Sequence, residues 1–135
     1  LAPACDKFGY ILACPKWTGT FDDAYDFSGK HHRLVNATLR DLTRRFQVDP
    51  DRVFLFGFGE GANFAFDMGI AHPDLFAGVC TFGGSPKPDL FMHTWRNAQK
   101  LPFYVVTGEM GAGSAQAMRK VFERWMPRGY PALLT

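Results

Sequence analysis

The chain of 135 residues has few cysteines, no excess of one charge and no long hydrophobic run. Cys5, Cys14 and Cys80 are an odd number without C-x-x-C spacing, which indicates neither a disulfide framework nor a zinc site, so we expect small buried or half-buried thiols. Charged residues, Gly or Pro interrupt every apolar stretch before it reaches the roughly 18 residues of a membrane helix. The 15 basic and 13 acidic side chains leave a net charge of +2 without a basic run, so neither nucleic acid nor an anionic membrane is an expected partner.

With 47% apolar and 21% charged residues, the chain has the composition of an ordinary globular protein. Its length suits one domain, and residues 1–135 are predicted to form a single domain or part of one. Leu1 is not an initiator methionine, and no signal peptide is recognisable before Cys5. We therefore expect a piece of a longer parent chain, and the sequence leaves its cellular compartment undetermined.

Short apolar runs alternate with amphipathic segments, which indicates an α/β fold with a parallel sheet and helices on both faces. The predicted strands are Phe8 to Cys14, Val53 to Phe56, Ala77 to Phe82, Phe103 to Thr107 and Pro131 to Thr135. The predicted helices are one with the apolar stripe Val35, Leu39, Leu42 and Phe46, one over Ala62 to Ala71, and a last one capped by Ser114 with Met118, Val121, Phe122 and Trp125 inward.

A glycine-rich turn, Gly57 to Gly61, joins the second predicted strand directly to a helix. Gly57, Gly59 and Ala62 satisfy the dinucleotide fingerprint G-x-G-x-x-G/A, in which a helix N-terminus meets a pyrophosphate. That motif also needs an acidic residue at the tip of the next strand, about twenty positions on, and none is present there. Dinucleotide binding is therefore kept as an alternative only.

The same turn fits the nucleophile elbow G-x-S-x-G through Gly57, Phe58 and Gly61, except for its central residue. Together with the stretches Asp49 to Gly57 and Ala71 to Val79, it resembles the α/β-hydrolase superfamily, in particular its esterase, polyhydroxybutyrate-depolymerase and phospholipase/carboxylesterase-like branches. The resemblance extends more loosely over nearly the whole chain. It implies an incomplete α/β-hydrolase-like fold and an esterase-related ancestry.

The resemblance also assigns positions to the catalytic groups. The nucleophile position is Gly59, and the position of the catalytic acid is Gly111, with Glu109 as a possible substitute acid. The backbone N–H of Glu60 would be half of an oxyanion hole. The histidine and the oxyanion loop are expected outside residues 1–135. Because deleting a serine nucleophile costs on the order of a millionfold in turnover, ordinary serine catalysis is excluded at this turn.

Other residues could contribute to a site at the ends of the strands. Ser85 follows Gly83 and Gly84 and is a conceivable displaced nucleophile, although a Ser-Pro turn explains it as well. Trp17, Phe91 and Trp95 could line a pocket above the sheet, or serve only as core residues. His31 and His32 have no third ligand at a recognisable spacing and are predicted to be surface histidines, whereas His72 and His93 are predicted to be structural.

Three hypotheses follow, and whether the protein is an enzyme stays open among them. The first is an esterase-related α/β-hydrolase-like domain without serine catalysis that serves as a binding or structural module and holds a small ester-like or acyl ligand. The second is an active hydrolase with a nonstandard nucleophile. The third is a dinucleotide-binding domain. No metal or cofactor is expected for the first two.

Overall fold

The computed structural model of the protein describes residues 1–16, 25–108 and 112–135, the side chains of 112–114 excepted. The chain divides into two compact units. One consists of Leu1–Asp23 and Ser28–Gln47, and the other of Ala24–Phe27 and Val48–Thr135. Within the described ranges, no helix has the length and hydropathy that a membrane span requires.

The first unit contains two helices, α1 (Ala2–Phe8) and α2 (Gly29–Arg45). The amphipathic helix predicted from the stripe beginning at Val35 is confirmed by α2. The strand predicted over Phe8 to Cys14 is wrong, because Phe8 ends α1, Gly9 closes that helix with φ 70°, and the following residues join no strand. An apolar run becomes a strand only when a neighbouring strand satisfies its backbone, and composition does not reveal whether one is there.

The second unit is built on four parallel strands: β1 (Phe54–Phe58), β2 (Gly78–Phe82), β3 (Phe103–Val106) and β4 (Ala132–Leu134). They lie in the order β1-β2-β3-β4, and every neighbouring pair is parallel. The predicted parallel α/β sheet is therefore confirmed, with strand boundaries within two residues of those expected. Because all strands run the same way, their carboxyl ends form one edge of the sheet and their amino ends the other.

Helices α3 (Glu60–Ala71), α4 (Pro88–Thr94) and α5 (Ala112–Trp125) occupy the three crossovers. The last helix begins two residues before Ser114, so this serine does not cap it. The prediction failed because a capping residue fixes a helix start only when the chain before it leaves the helical conformation.

Trp125, with 0% of its surface exposed, is at the centre of the core. Its ring lies 5.7 Å from Phe66 of α3, 5.7 Å from Phe91 of α4 and 5.0 Å from Phe103 of β3. The inward residues predicted for the last helix, namely Met118, Val121, Phe122 and Trp125, are all buried. Trp125 belongs to α5 and contacts α3, α4 and the strand β3. The three helices α3, α4 and α5 therefore pack against the same face of the sheet.

The opposite face of the sheet is apolar and open. Register partners Phe56, Cys80, Tyr104 and Leu133 form a row across all four strands. Phe56 is 50% exposed, Leu133 is 56% exposed and Phe58, at the end of β1, is 79% exposed. Among the described residues of this unit, α3, α4 and α5 all lie on the other face, and no second layer of helices is formed by them. Crossovers that all advance in one direction with one hand place their helices on one face only.

The cysteines agree with expectation in two positions of three. Cys5 and Cys80 are half-buried, and burial raises the pKa of the Cys80 thiol. Cys14 is exposed, contrary to prediction, because the strand that would have buried it is not formed.

Candidate functional site

The turn between β1 and α3 consists of a single residue. Phe58 ends the strand, Glu60 begins the helix, and Gly59 between them has φ 57° and ψ −121°. This left-handed region penalises a residue with a Cβ atom, because Cβ approaches the carbonyl oxygen that follows. The sharp strand-to-helix turn predicted from the glycine spacing is thus present, and its most strained position holds the residue that tolerates the strain.

Gly57 makes the closest approach in the turn. An added Cβ atom there would overlap the carbonyl oxygen of Gly61 and lie 2.7 Å from the Cα of Ala62. Gly84, just after β2, is similarly close to the helix, since its added Cβ would lie 2.8 Å from the backbone nitrogen of Asn63. These two glycines let the helix start almost in contact with the strand ends.

Around Gly59 the space is open. Apart from the adjacent residues and the backbone of α3 itself, no atom of the described residues comes within 4 Å of a Cβ added at Gly59 or at Gly61. The turn itself is fixed by its backbone: the N–H of Gly59 donates to the carbonyl of Phe82 at 2.9 Å, and the Gly59 carbonyl accepts from Ala62 and Asn63. The first N–H groups of α3, beginning with Glu60, have no partner within the helix.

The side chain of Glu60 is held by two donors. Its Oε2 atom accepts the backbone N–H of Tyr25 at 3.1 Å and the side-chain amide of Asn63 at 3.2 Å. Asn63 in turn accepts the backbone N–H of Ser85 through Oδ1 at 2.9 Å. The structure thus brings Glu60 and Ser85, both proposed from the sequence, to the same edge of the sheet through Asn63.

Tyr25 forms a second connection above the helix. It is 5% exposed, and its hydroxyl donates to Asp67 Oδ2 at 2.5 Å. Its ring packs edge-on against Phe64 at 5.2 Å. Burial raises the pKa of Tyr25 above its ordinary value, and the hydrogen bond to Asp67 and the charges of Asp67 and Asp26 add to this shift.

The aromatic pocket predicted above the sheet is not formed by Phe91 and Trp95. Phe91 is 6% exposed and packs on Trp125 in the core. Trp95 contacts Tyr130, which precedes β4, so it lies at the amino-end edge, opposite to Gly59. Phe91 lies within α4 and Trp95 directly follows it. The direction of α4 carries the chain away from the carboxyl ends of the strands, and a sequence pattern does not show that direction.

Several predicted residues lie outside the described part of the chain, namely Trp17, Glu109 and Gly111. Of the histidines, His72 follows the carboxyl end of α3 and so lies at the edge away from Gly59, and His93 is exposed on α4. His31 and His32 belong to α2 in the other unit, where His32 is half-buried and His31 is buried, so the surface position predicted for His31 is wrong. Within the ranges described, no three His, Cys, Asp or Glu side chains are grouped as metal ligands.

Sequence reasoning missed Asn63, Asp67 and Tyr25. The spacing of Glu60, Asn63 and Asp67 could have found two of them, since positions i, i+3 and i+7 share one face of a helix. That face carries every polar contact described above for α3. Tyr25 has no comparable signal, because it reaches Asp67 from a segment 42 residues away.

Comparison with known proteins gives a consistent result. No family model matches the chain. The chain is 43% identical over 56 residues to "Putative esterase NocK" of Nocardia uniformis subsp. tsuyamanensis, and 26% identical over 92 residues to a poly(3-hydroxybutyrate) depolymerase of Ralstonia pickettii. These matches cover 41% and 60% of this chain but only 16% and 19% of those proteins.

Among solved structures, a thermostable esterase superimposes with a TM-score of 0.70 over 78% of this chain and 28% of its own, at 18% identity. The protein therefore has an α/β-hydrolase-like fold and spans under a third of the length of these relatives. Its partial sequence similarity to an esterase and a depolymerase agrees with the resemblance that the residues around the turn indicated.

Proposed function

We propose that this protein is an esterase-related α/β-hydrolase-like domain that has lost serine catalysis and acts as a binding or structural module of a longer protein. The observation that carries the proposal is Gly59, which stands in the strained turn with φ 57° and supplies no hydroxyl. Without that nucleophile, the remaining groups of such a site give only about 10³- to 10⁴-fold acceleration over water.

Glu60 does not replace the missing nucleophile in this proposal. Its Oε2 atom already accepts two N–H donors, from Tyr25 and Asn63, and a carboxylate so engaged is poorly placed to attack a carbonyl. Instead, Glu60 joins the Tyr25 segment to the start of α3. A small ester-like or acyl ligand would occupy the open space over Gly59, facing the backbone N–H groups of Glu60 and Gly61, and would be bound without cleavage.

A nonstandard hydrolase is the second candidate, and Ser85 favours it. The Ser85 backbone is tied to Asn63, one turn from Gly59, so its hydroxyl lies on the correct edge of the sheet. Dinucleotide binding is disfavoured by the acidic side chain of Glu60 in the first turn of α3, because a carboxylate repels a pyrophosphate at that position.

The proposal is tested by turnover of short-chain aryl esters and by labelling with a serine-reactive fluorophosphonate probe, both on the complete parent protein. We expect neither turnover above buffer nor labelling in the unmodified protein. Gly59→Ser adds a hydroxyl, and Gly59→Ala is its matched control, since both variants carry the same backbone strain. Labelling of Gly59→Ser alone supports an elbow that lost its nucleophile.

Turnover by the unmodified protein overturns the degenerate interpretation. In that case Ser85→Ala separates the two candidates: loss of both turnover and labelling identifies Ser85 as the nucleophile. If activity survives in Ser85→Ala, Glu60 and Glu109 are the next residues to replace.

A further inference from the structure

Three arginines surround one indole at the amino-end edge of the sheet. The Cζ atoms of Arg96, Arg124 and Arg128 lie 5.4, 5.5 and 5.3 Å from the centroid of the Trp95 ring. A guanidinium within about 6 Å of a tryptophan ring is attracted by its electron-rich face. Since three cations share one ring, positive charge is concentrated in a small patch, which we call the arginine cluster.

The cluster is fixed to the core of the unit. Trp95 lies 5.9 Å from Tyr130, and Tyr130 stacks on the fully buried Trp125 at 5.2 Å with an interplanar angle of 6°. Arg128 also donates through Nη1 to the carbonyl of Arg124 at 2.7 Å. Because this hydrogen bond already restricts the Arg128 side chain, a ligand would lose less entropy in ordering it.

Within the described ranges, no carboxylate neutralises the cluster. Arg96, Arg124 and Arg128 form no ion pair with a described residue, and the pairs Arg45–Asp41 and Arg52–Asp49 lie elsewhere. Three guanidinium groups that share one ring repel one another unless an anion lies between them. The described residues therefore leave the positive charge of the arginine cluster without a counter-charge.

We propose that the arginine cluster is a binding site for a compact oxyanion of the phosphate class. A guanidinium near an aromatic ring can still direct N–H groups at two oxygens of a phosphate group, and of the three guanidiniums only Arg128 already uses one nitrogen, Nη1, in a hydrogen bond within the described part of the chain. Gly59 follows the carboxyl end of β1, whereas the cluster lies at the amino-end edge, so this site is separate from the proposed ester-like site and does not depend on it.

The neighbouring surface favours a compact ligand. Arg96 and Lys100 line a cleft of about 710 Å³, which gives the rest of a phosphorylated molecule room. Asp51 and Asp74 line the same cleft, and their charge disfavours a long polyanion. A single phosphate group held by the cluster, with its substituent in the cleft, fits both observations.

The test is a titration of the full-length protein with inorganic phosphate, in which calorimetry measures the binding. Arg124→Gln/Arg128→Gln removes two of the three guanidiniums. Arg119→Gln/Lys120→Gln is the matched control, because it removes the same charge from exposed positions of α5. We expect saturable binding that weakens by about tenfold or more in the first double variant and by less than about twofold in the control. Raising the salt concentration should weaken it further.

Trp95→Leu tests the role of the ring, because it keeps all three cations and should still weaken phosphate binding. Circular dichroism of each variant establishes that the fold is retained, and Arg96→Gln serves as the substitute if a double variant unfolds. Absence of saturable binding, or an equal loss in the control variant, overturns the proposal.

A phosphate group can be soluble or part of a lipid headgroup, and cosedimentation with vesicles distinguishes the two sources. Binding to phosphatidic acid vesicles but not to phosphatidylcholine vesicles, reversed by free phosphate and lost in Arg124→Gln/Arg128→Gln, supports the site with a lipid headgroup as its ligand. Calorimetric binding without cosedimentation supports the same site with a soluble phosphate ester.

Discussion

Gly57, Gly59 and Gly61 lie within five residues of one turn, yet replacing each by alanine should change stability differently. At Gly57 the new methyl group would overlap the carbonyl oxygen of Gly61, so the strand and the helix must separate. At Gly59 the methyl group meets open space among the described residues, but φ 57° remains strained for alanine. At Gly61, in the first turn of α3, neither problem is present.

The magnitudes follow from these three situations. Gly57→Ala should cost toward the upper end of the roughly 1–3 kcal/mol typical of overpacking, because the atoms it meets are backbone. Gly59→Ala should cost about 1–2 kcal/mol, the penalty for a left-handed residue with a Cβ atom. Gly61→Ala should be neutral or stabilise by up to about 1 kcal/mol, since alanine loses less backbone entropy than glycine in a helix.

Thermal unfolding followed by circular dichroism measures all three, with about 4 °C of melting temperature corresponding to each kcal/mol. The reasoning requires the order Gly57→Ala, Gly59→Ala, Gly61→Ala from the least to the most stable variant. An unchanged melting temperature in Gly59→Ala would refute the strained turn. Equal losses at Gly59 and Gly61 would show that side-chain volume, not backbone conformation, decides the effect.

Two further expectations concern other parts of the second unit. Burial and the bond to Asp67 hold the pKa of Tyr25 above its ordinary value, so the folded state keeps the proton longer than the unfolded state. The stability that this contributes is present below the ordinary tyrosine pKa of 10.0 and is lost as the pH rises above it. When denaturant midpoints are compared across alkaline pH, this loss of stability should be smaller in Tyr25→Phe than in the unmodified protein. On the open sheet face, Phe58→Lys should lower both the binding of a hydrophobic dye and concentration-dependent light scattering. Lys120→Gln, at an exposed helix position, should leave both unchanged. Equal dye binding in Phe58→Lys and the unmodified protein would contradict an accessible apolar face.

Most elements of the second unit could be predicted because their signals are local. Runs such as Ala77 to Phe82 are apolar, short and bounded by turn residues, and they became β2 and its neighbours. The turn at Gly59 could be predicted for the same reason, since glycine spacing between a strand and a helix reports a backbone requirement. The inward face of α5 followed from its helical periodicity.

Predictions failed where the outcome depends on distant partners. The run from Phe8 to Cys14 reads as a strand, but it joins no neighbour and does not become one. For Phe91 and Trp95 the sequence left a pocket and the core both open, and the path of α4 places Phe91 in the core and Trp95 at the opposite edge. In both cases the residue types are compatible with either outcome, and only their neighbours in space distinguish them.

By itself, the sequence determined that the chain forms an α/β sheet, that its central turn needs glycine, and that this turn has no serine hydroxyl. These properties depend on side-chain chemistry, periodicity and backbone freedom, which each residue carries wherever it lies. The tertiary structure alone decided that Glu60 is held by Tyr25 and Asn63, and that three arginines meet at Trp95. Contacts between residues far apart in the chain depend on how the helices pack on the sheet, and local sequence does not specify that packing.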